Sequence, residues 1–507
     1  MENKFAELNE KYGEVAALGS AGAVLGWDQR VTMPPGGASA RGKALAAVEE
    51  TVHRKFTSPE TGALITALYD WAQAKGYDSF EAAYLRTIKR DYDQAVKIPA
   101  ALVAELSLAA SASFEAWTRA RQASDFSVFS PHLEKMVELN LRKAEALGFE
   151  QSPYDALLDI YEPGMTRARL DPLFSELLSG LKPVTKAIGE RACKVSNSRF
   201  KGDFEETAQL KLADELVKAL GFDFTRGRQD LSAHPFTTGF SVNDVRITTR
   251  THRDWLPACV YASIHECGHA LYEQGAPEEF DFTPLAGAPS LGLHESQSRF
   301  WENIIGRSRP FAAWALPLYR RHFPGKFDKL SADDLYRAAN CSEASLIRVE
   351  ADEVTYNLHI VLRYGMETLL LDRKLKIKDV PELWNEKMKE YLGIAPSKDS
   401  EGILQDVHWS QGMFGYFPTY TLGNLISAQL FNGMKKDLGG IDTLVEKGDF
   451  APILGWLRKK IHSQGRKYKP EELLAKATGE QLSVRPFVEY ITAKYSEIYG
   501  FQPGNSA

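Results

Sequence analysis

The chain is 507 residues long, 44% hydrophobic and 25% charged, which excludes disordered and fibrous architectures and leaves ample apolar material for a large core. Lys and Arg number 61 against 67 Asp and Glu, a formal charge of −6, so there is no basic excess to neutralise nucleic-acid phosphates or an anionic membrane. The cysteines Cys193, Cys259, Cys267 and Cys341 are scattered without a CxxC pair, which argues against a disulfide framework and a cysteine-rich zinc module. In chain order, residues Met1 to Lys11 alternate charged and apolar side chains without the apolar core of a signal peptide, and no apolar run approaches the roughly 18 residues of a membrane span. A cytoplasmic protein with no membrane or nucleic-acid partner is expected. Met33 to Ser39 reads as a loop, after which Ser58 as cap, Pro59 at the first position and the stripe Leu64, Ile65, Leu68, Trp71, Ala72 predict a helix stopped by Gly76. Another helix is predicted near Pro99, with Leu102, Val103 and Leu106 on one stripe. Between His234 and Thr249 the pattern switches to two short β segments around Asn243-Asp244. Helix returns from Pro257 to Gly275, near Glu295, from Ser331 with Asp334 as a capping box, and through Val354, Leu358, Val361, Leu362 and Met366, with a loop over Ile394 to Ser400. The expectation is one large, mainly α domain over residues 1–507 carrying one small β-sheet.

The most informative residues are His265-Glu266-Cys267-Gly268-His269, an HExxH motif inside the helix from Pro257. One turn apart, His265 and His269 face the same way and can reach one metal ion, while Glu266 stands beside it, placed to take a proton from the attacking water. Cys267, about 200° around the helix from His265, should point into the core. A catalytic zinc site needs a third protein ligand and an open position. Glu295, in His294-Glu295-Ser296-Gln297, is the candidate, giving the two-His, one-Glu gluzincin arrangement. Arg299, one turn on, either holds the Glu295 carboxylate or forms an ordinary surface pair.

With these residues in view, the sequence resembles the thermostable (Taq-type) metallocarboxypeptidase family. The family's blocks stand here in order as His234-Pro235-Phe236, Asp244-Val245-Arg246-Ile247-Thr248, His265 to His269, His294 to Gln297, Ile347-Arg348 with Ala351-Asp352, and Gly402 with Gln405-Asp406-Val407-His408-Trp409. Gly415-Tyr416 to Tyr420 and, near the start, Trp27-Asp28 with Met33-Pro34 are also similar to family sequence. The motif-bearing region is 234–425.

The resemblance implies a zinc carboxypeptidase that releases single C-terminal residues of many kinds, with proline disfavoured. It also implies a saddle-like helical fold with a deep groove and a homodimer; Co²⁺ is an alternative to Zn²⁺, since the same nitrogen and oxygen ligands accept both. Arg348 matches the position expected to hold the terminal carboxylate, which a guanidinium can engage bidentately; the other reading pairs it with Asp352. His408, Tyr416 and Tyr420 are candidates to stabilise the developing oxyanion, with Asp406 holding a neighbouring histidine or a loop. Asp244 and Arg246 either help align an extended peptide along a strand edge or brace the hairpin. His234, before a proline, reads as a structural corner. The rivals are an oligopeptidase or dipeptidyl carboxypeptidase sharing the zinc site, and a catalytically idle helical scaffold.

Overall fold

In the computed structural model, which describes residues 1–502 apart from the side chain of Cys193, helix follows helix from the first turn. The chain starts with a hairpin of α1 (Glu2–Val31) and α2 (Ala38–Phe56), then α3 (Pro59–Gln73) and α4 (Phe80–Lys97). In α1 only Leu8 and Trp27 are buried and in α2 no residue is, so this hairpin contributes little to the interior. Ser58 caps α3 by accepting from Thr61 N, with Pro59 at the first position, as the sequence predicts. Leu8, Leu64, Ile65, Leu68, Ala72, Tyr84, Leu85 and Ile88 form a small core of their own among α1, α3 and α4.

Helices α5 (Ala100–Ala123), α6 (Ser130–Leu147), α7 (Pro153–Leu158), α8 (Arg167–Gly189) and α9 (Glu206–Leu220) lead to the sheet. On α5 the buried stripe is Leu102, Ser113, Ala116, Trp117 and Ala120. Val103 does not share it and is 41% exposed, because it lies one residue, about 100°, around the helix from Leu102.

The sheet has three strands, β1 (Gly227–Leu231), β2 (Thr237–Ser241) and β3 (Asp244–Thr249), in the order β1-β3-β2. The hairpin β2/β3 matches the two expected segments, with Thr237 opposite Ile247 and a bulge between Gly239 and Ser241. The parallel strand β1 is an addition; its Arg228-Gln229-Asp230 interior carries none of the apolar or β-branched alternation that announces a strand.

Then come α10 (Pro257–Glu273), α11 (Leu291–Arg299) running into a π-helical turn over Phe300–Ile305, α12 (Arg309–His322), α13 (Ala332–Ala339) and α14 (Tyr356–Leu371). The predicted Ser331/Asp334 capping box starts α13. The chain ends with α15 (Val380–Leu392), α16 (Pro418–Leu438), α17 (Ile441–Lys447), α18 (Ala451–Lys460), α19 (Pro470–Thr478) and α20 (Arg485–Tyr499). One contiguous apolar core runs from Trp117 to Tyr499 and envelops α14, whose Leu358, Val361, Leu362 and Met366 are all buried. Among the described residues no single helix is long and apolar enough to cross a membrane. Mainly helical with one small sheet, the fold is of the class the sequence predicts.

Candidate active site

Two glycines set how closely the site's helices approach. A Cβ on Gly268 of α10 would come within 2.6 Å of the Gln297 carbonyl oxygen and Ser298 Cα, and one on Gly423 of α16 within 2.5 Å of Glu295 Cγ. Only hydrogen fits at either position, so α11 is held tightly between α10 and α16.

That packing brings His265, His269 and Glu295 together. Glu295 Oε2 lies 3.6 Å from His265 Nε2 and 3.3 Å from His269 Nε2, so one donor atom from each residue converges on a common point. A tetrahedral ion with bonds of about 2.0–2.1 Å separates its ligands by roughly 3.3 Å, so two imidazole nitrogens and one carboxylate oxygen fit a divalent metal here. His265 Nδ1 is 2.8 Å from Glu302 Oε2, which fixes the ring so that Nε2 faces Glu295. Arg299 donates to Glu295 Oε1 at 2.7 Å and to Glu302 at 3.3 Å, and Arg307 donates to Glu302 Oε1 at 3.1 Å. Burial alone would raise the Glu295 carboxyl, but Arg299 and the two histidines hold it well below the usual range; burial is likewise overcome at Glu302, which falls to about 2 beside His265, Arg299 and Arg307. Arg299 is therefore an inward brace and not a surface pair. Burial, reinforced by His294, lowers His269 to about 3, and the His294 ring stacks on it at 4.4 Å while its own Nε2 meets Glu273 at 2.8 Å.

Glu266, also buried, is raised by desolvation. Its carboxylate accepts from Thr237 Oγ1 at 2.7 Å, so the edge strand β2 orients it. Cys267 lies in the core as expected, its Sγ 3.8 Å from the Val217 carbonyl.

A second cluster stands beside the first. Arg348, 5% exposed, directs Nε and Nη2 at Asp406 Oδ1, 3.0 and 2.7 Å away, and Nη1 at the Tyr356 hydroxyl, 2.8 Å away. The sequence offers Asp352 as its partner, one helical turn on. In the structure Arg348 lies in a single 3₁₀ turn, and Asp352 instead accepts from Ser342 Oγ, Val354 N and Thr355 Oγ1, tying the preceding loop to the start of α14. Asp406 also takes Arg363 Nε at 2.6 Å; burial opposes its ionisation, but the two guanidiniums push its carboxyl far below the usual range. Its Oδ1 stands 3.8 Å from His408 Nδ1, and His408 Nε2 is 3.1 Å from the Tyr420 hydroxyl. Tyr416 packs on both, ring centroids 5.3 Å from His408 and 5.4 Å from Tyr420.

Tyr356 joins the clusters: besides its bond to Arg348, its ring receives the Arg299 guanidinium at 4.5 Å. Glu367 fixes the loop that carries His408 and Tyr416, accepting from Trp409 Nε1 at 2.9 Å, Gly415 N at 3.1 Å and the Tyr154 hydroxyl at 2.8 Å.

Asp244 and Arg246 are paired with each other instead of with these residues. They form a two-bond fork of 2.9 and 2.8 Å, and the guanidinium covers Trp27 of α1 at 4.6 Å and Phe240 at 4.9 Å, bracing hairpin and helix together. His234 is exposed at the corner before β2, its carbonyl accepting from Ser232 Oγ at 2.7 Å.

Sequence reasoning passed over Thr237, Glu302, Tyr356, Arg363 and Glu367. Glu302 had a signal, since Glu295, Arg299 and Glu302 recur at i, i+4 and i+7 on one helix face. Arg363 had another, a lone cation inside the apolar stretch Ile360 to Leu371.

With this geometry in place, the comparisons decide the family. The model of the family "Carboxypeptidase Taq (M32) metallopeptidase" matches residues 7–495. The chain belongs to this family. It is a metallocarboxypeptidase, a hydrolase of peptides that uses a divalent metal. Carboxypeptidase 1 of Bacillus subtilis is 40% identical over 501 residues, covering 98% of each chain. Thermostable carboxypeptidase 1 of Thermus thermophilus is 42% identical over 509 residues, covering 98% of this chain and 99% of its own. Among solved structures, the M32 carboxypeptidase of Deinococcus radiodurans superposes with a TM-score of 0.95 at 36% identity, covering 98% of this chain and all of the other.

Proposed function

We propose that the enzyme is a zinc carboxypeptidase that releases one residue at a time from peptides with a free C-terminus, accepting many side chains and disfavouring proline. His265, His269 and Glu295 hold the metal, for which Zn²⁺ is the first choice and Co²⁺ an alternative. What supports the reading is the convergence of these three donors with Glu266 beside them and the guanidinium of Arg348 in the adjoining cluster.

When bound, the metal polarises the scissile carbonyl and the attacking water. Glu266 takes the water's proton and delivers it to the leaving amine; its hydrogen bond from Thr237 keeps the carboxylate aimed. Glu302 and Arg299 hold His265 and Glu295 in orientation. Arg348 receives the terminal carboxylate, and that anchor sets the register so that only the last peptide bond reaches the metal side. His408 or a hydroxyl of the Tyr416/Tyr420 pair donates to the developing oxyanion; buried and lowered to about 3, His408 is neutral and keeps one N–H to give. Asp244 and Arg246 act from a distance, by holding α1 against the sheet whose edge strand orients Glu266. A cytoplasmic homodimer completes the proposal, resting on the family resemblance.

The test is mass spectrometry of an N-terminally blocked peptide incubated with the protein, with chelator and with Zn²⁺ or Co²⁺ added back. Stepwise loss of single C-terminal residues, stopped by the chelator and restored by metal, is the expected result. Dipeptides or internal fragments would move the reading to an oligopeptidase.

A further inference from the structure

Arg363 belongs to none of the sequence blocks, yet it lies at the heart of the arginine cluster. It is fully buried on α14 between Leu362 and Tyr364, with its guanidinium over the Trp384 ring at 4.6 Å. Its Nε donates to Asp406 Oδ2 at 2.6 Å and its Nη1 to the His359 carbonyl at 2.9 Å. Arg348 takes the other oxygen of the same carboxylate. One carboxylate thus serves two guanidiniums.

The groups around this trio do not settle its charge. Neither guanidinium makes an ion pair with any other acid among the described residues. Glu367, one turn beyond Arg363, is the nearest further carboxyl on α14; burial raises it to about 7, so at neutral pH it is only partly ionised and does not fully offset the second guanidinium, and its oxygens are taken by Trp409, Gly415 and Tyr154. Burial first, then the two arginines, keep His359 and His408 neutral, each lowered to about 3. Burial also raises the phenols of Tyr356 and Tyr420, so both stay protonated. Two guanidiniums against one carboxylate leave a residual positive charge out of water, where an uncompensated ion is costly. Arg348 also has donors to spare: of its five N–H groups, three have partners here, leaving two on the Nη atoms.

We propose that Arg363 is a specificity-determining positioning residue: by sharing Asp406 it leaves Arg348 only half compensated, so Arg348 accepts a substrate end carrying a carboxylate and rejects the neutral carboxamide. Were Asp406 paired with Arg348 alone, the pair would be neutral, and carboxylate and carboxamide ends would differ far less. Arg363 touches no substrate; it acts through the shared carboxylate. The inference rests on Arg348 as the anchor for the terminal carboxylate, and the experiment separates the two.

The full-length, metal-loaded enzyme is measured with an N-blocked tripeptide ending in a free carboxylate as substrate, and with its carboxamide twin as competing inhibitor. In R363M the KM for the acid should rise about 30-fold, as for loss of a charged hydrogen-bond partner, with a much smaller change in kcat and an unchanged Ki for the amide. R363K restores the charge and should return the acid's KM to within about fivefold of wild type. An unchanged KM in R363M, or acid and amide weakening together, would overturn the inference. If R363M fails to fold or to retain metal, R363K decides: folded, metal-bound R363K without acid-over-amide preference also overturns it. R348M tests the underlying reading. If R348M collapses the preference and R363M does not, only the role of Arg363 fails; if R348M leaves it intact, the anchor reading fails and this inference with it.

Discussion

The metal cluster and the arginine cluster adjoin each other and are both networks of buried charge, but they are assembled differently. The metal cluster comes from two adjacent helices and the π-turn after them, packed closely at Gly268 and backed by α16 at Gly423, and the carboxylates Glu295 and Glu302 are met by Arg299 and Arg307. These two carboxylates and two guanidiniums balance one another before a metal is added. The arginine cluster gathers Arg348 from a short turn, Arg363 from α14, and Asp406 and His408 from a loop, with two cations on one anion. Balanced charge on rigid helices suits a resident ion that must be held in fixed geometry. Unbalanced charge on a loop clasped by Glu367 suits a group that arrives and leaves with each substrate.

The largest expected effect separates chemistry from metal binding. Glu266→Gln should lower kcat by about 10³-fold or more while zinc content by elemental analysis stays at wild-type level; loss of zinc in this variant would mean that Glu266 belongs to the metal's holding set. Next, Glu302→Gln loosens the ring of His265, so metal affinity in a chelator competition should fall about 10- to 100-fold, with acid-over-amide preference untouched. A shifted preference would show that the clusters do not divide the work as described.

Glu367→Gln tests the clasp. Two of the donors to this carboxyl, Trp409 Nε1 and Gly415 N, are fixed N–H groups bound to different oxygens, so an amide in either orientation opposes one of them. A fall in kcat of about tenfold is expected with metal retained, and a double variant with His408→Ala should lose little beyond His408→Ala alone. Tyr356→Phe removes the hydroxyl on Arg348 but leaves the ring under Arg299, so KM should rise about fivefold with metal affinity unchanged.

The smallest effect concerns the support of α11. Buried Glu162 accepts from Gly292 N at the start of α11, and burial raises its carboxyl to about 8. A raised carboxyl contributes stability that is complete below its unfolded value near 4.5 and is lost as pH climbs through 8. Glu162→Gln should therefore gain stability relative to wild type between pH 5 and pH 8, by about 1–3 kcal/mol; denaturant melts at the two pH values check this, and parallel curves would contradict it.

The metal cluster was largely legible in the sequence because its logic is local. HExxH puts two ligands and a base on one helix, Glu295 and Arg299 share a face one turn apart, and Glu302 continues that face, a periodicity that could have been followed further. The arginine cluster was legible only by resemblance, since Arg348 and Asp406 are 58 residues apart and nothing in either segment names the other. Asp352, the nearer acid, was the natural partner on helical spacing, but the backbone at Arg348 makes a single 3₁₀ turn, so that spacing does not apply. The helices with Pro, Ser and Gly punctuation stand where the residues put them. Strand β1 escaped because its pairing with β3, and not its own pattern, makes it a strand.

The central claim is that one cluster does the chemistry and the other reads the substrate's end. The most direct measurement is a crystal structure of the zinc-loaded Glu266→Gln variant with an uncleaved peptide. The account predicts the terminal carboxylate within hydrogen-bond distance of the Nη atoms of Arg348 and the last peptide carbonyl facing His265, His269 and Glu295. A peptide whose carboxylate lies elsewhere, with Arg348 still closed on Asp406 and Tyr356 alone, would contradict it.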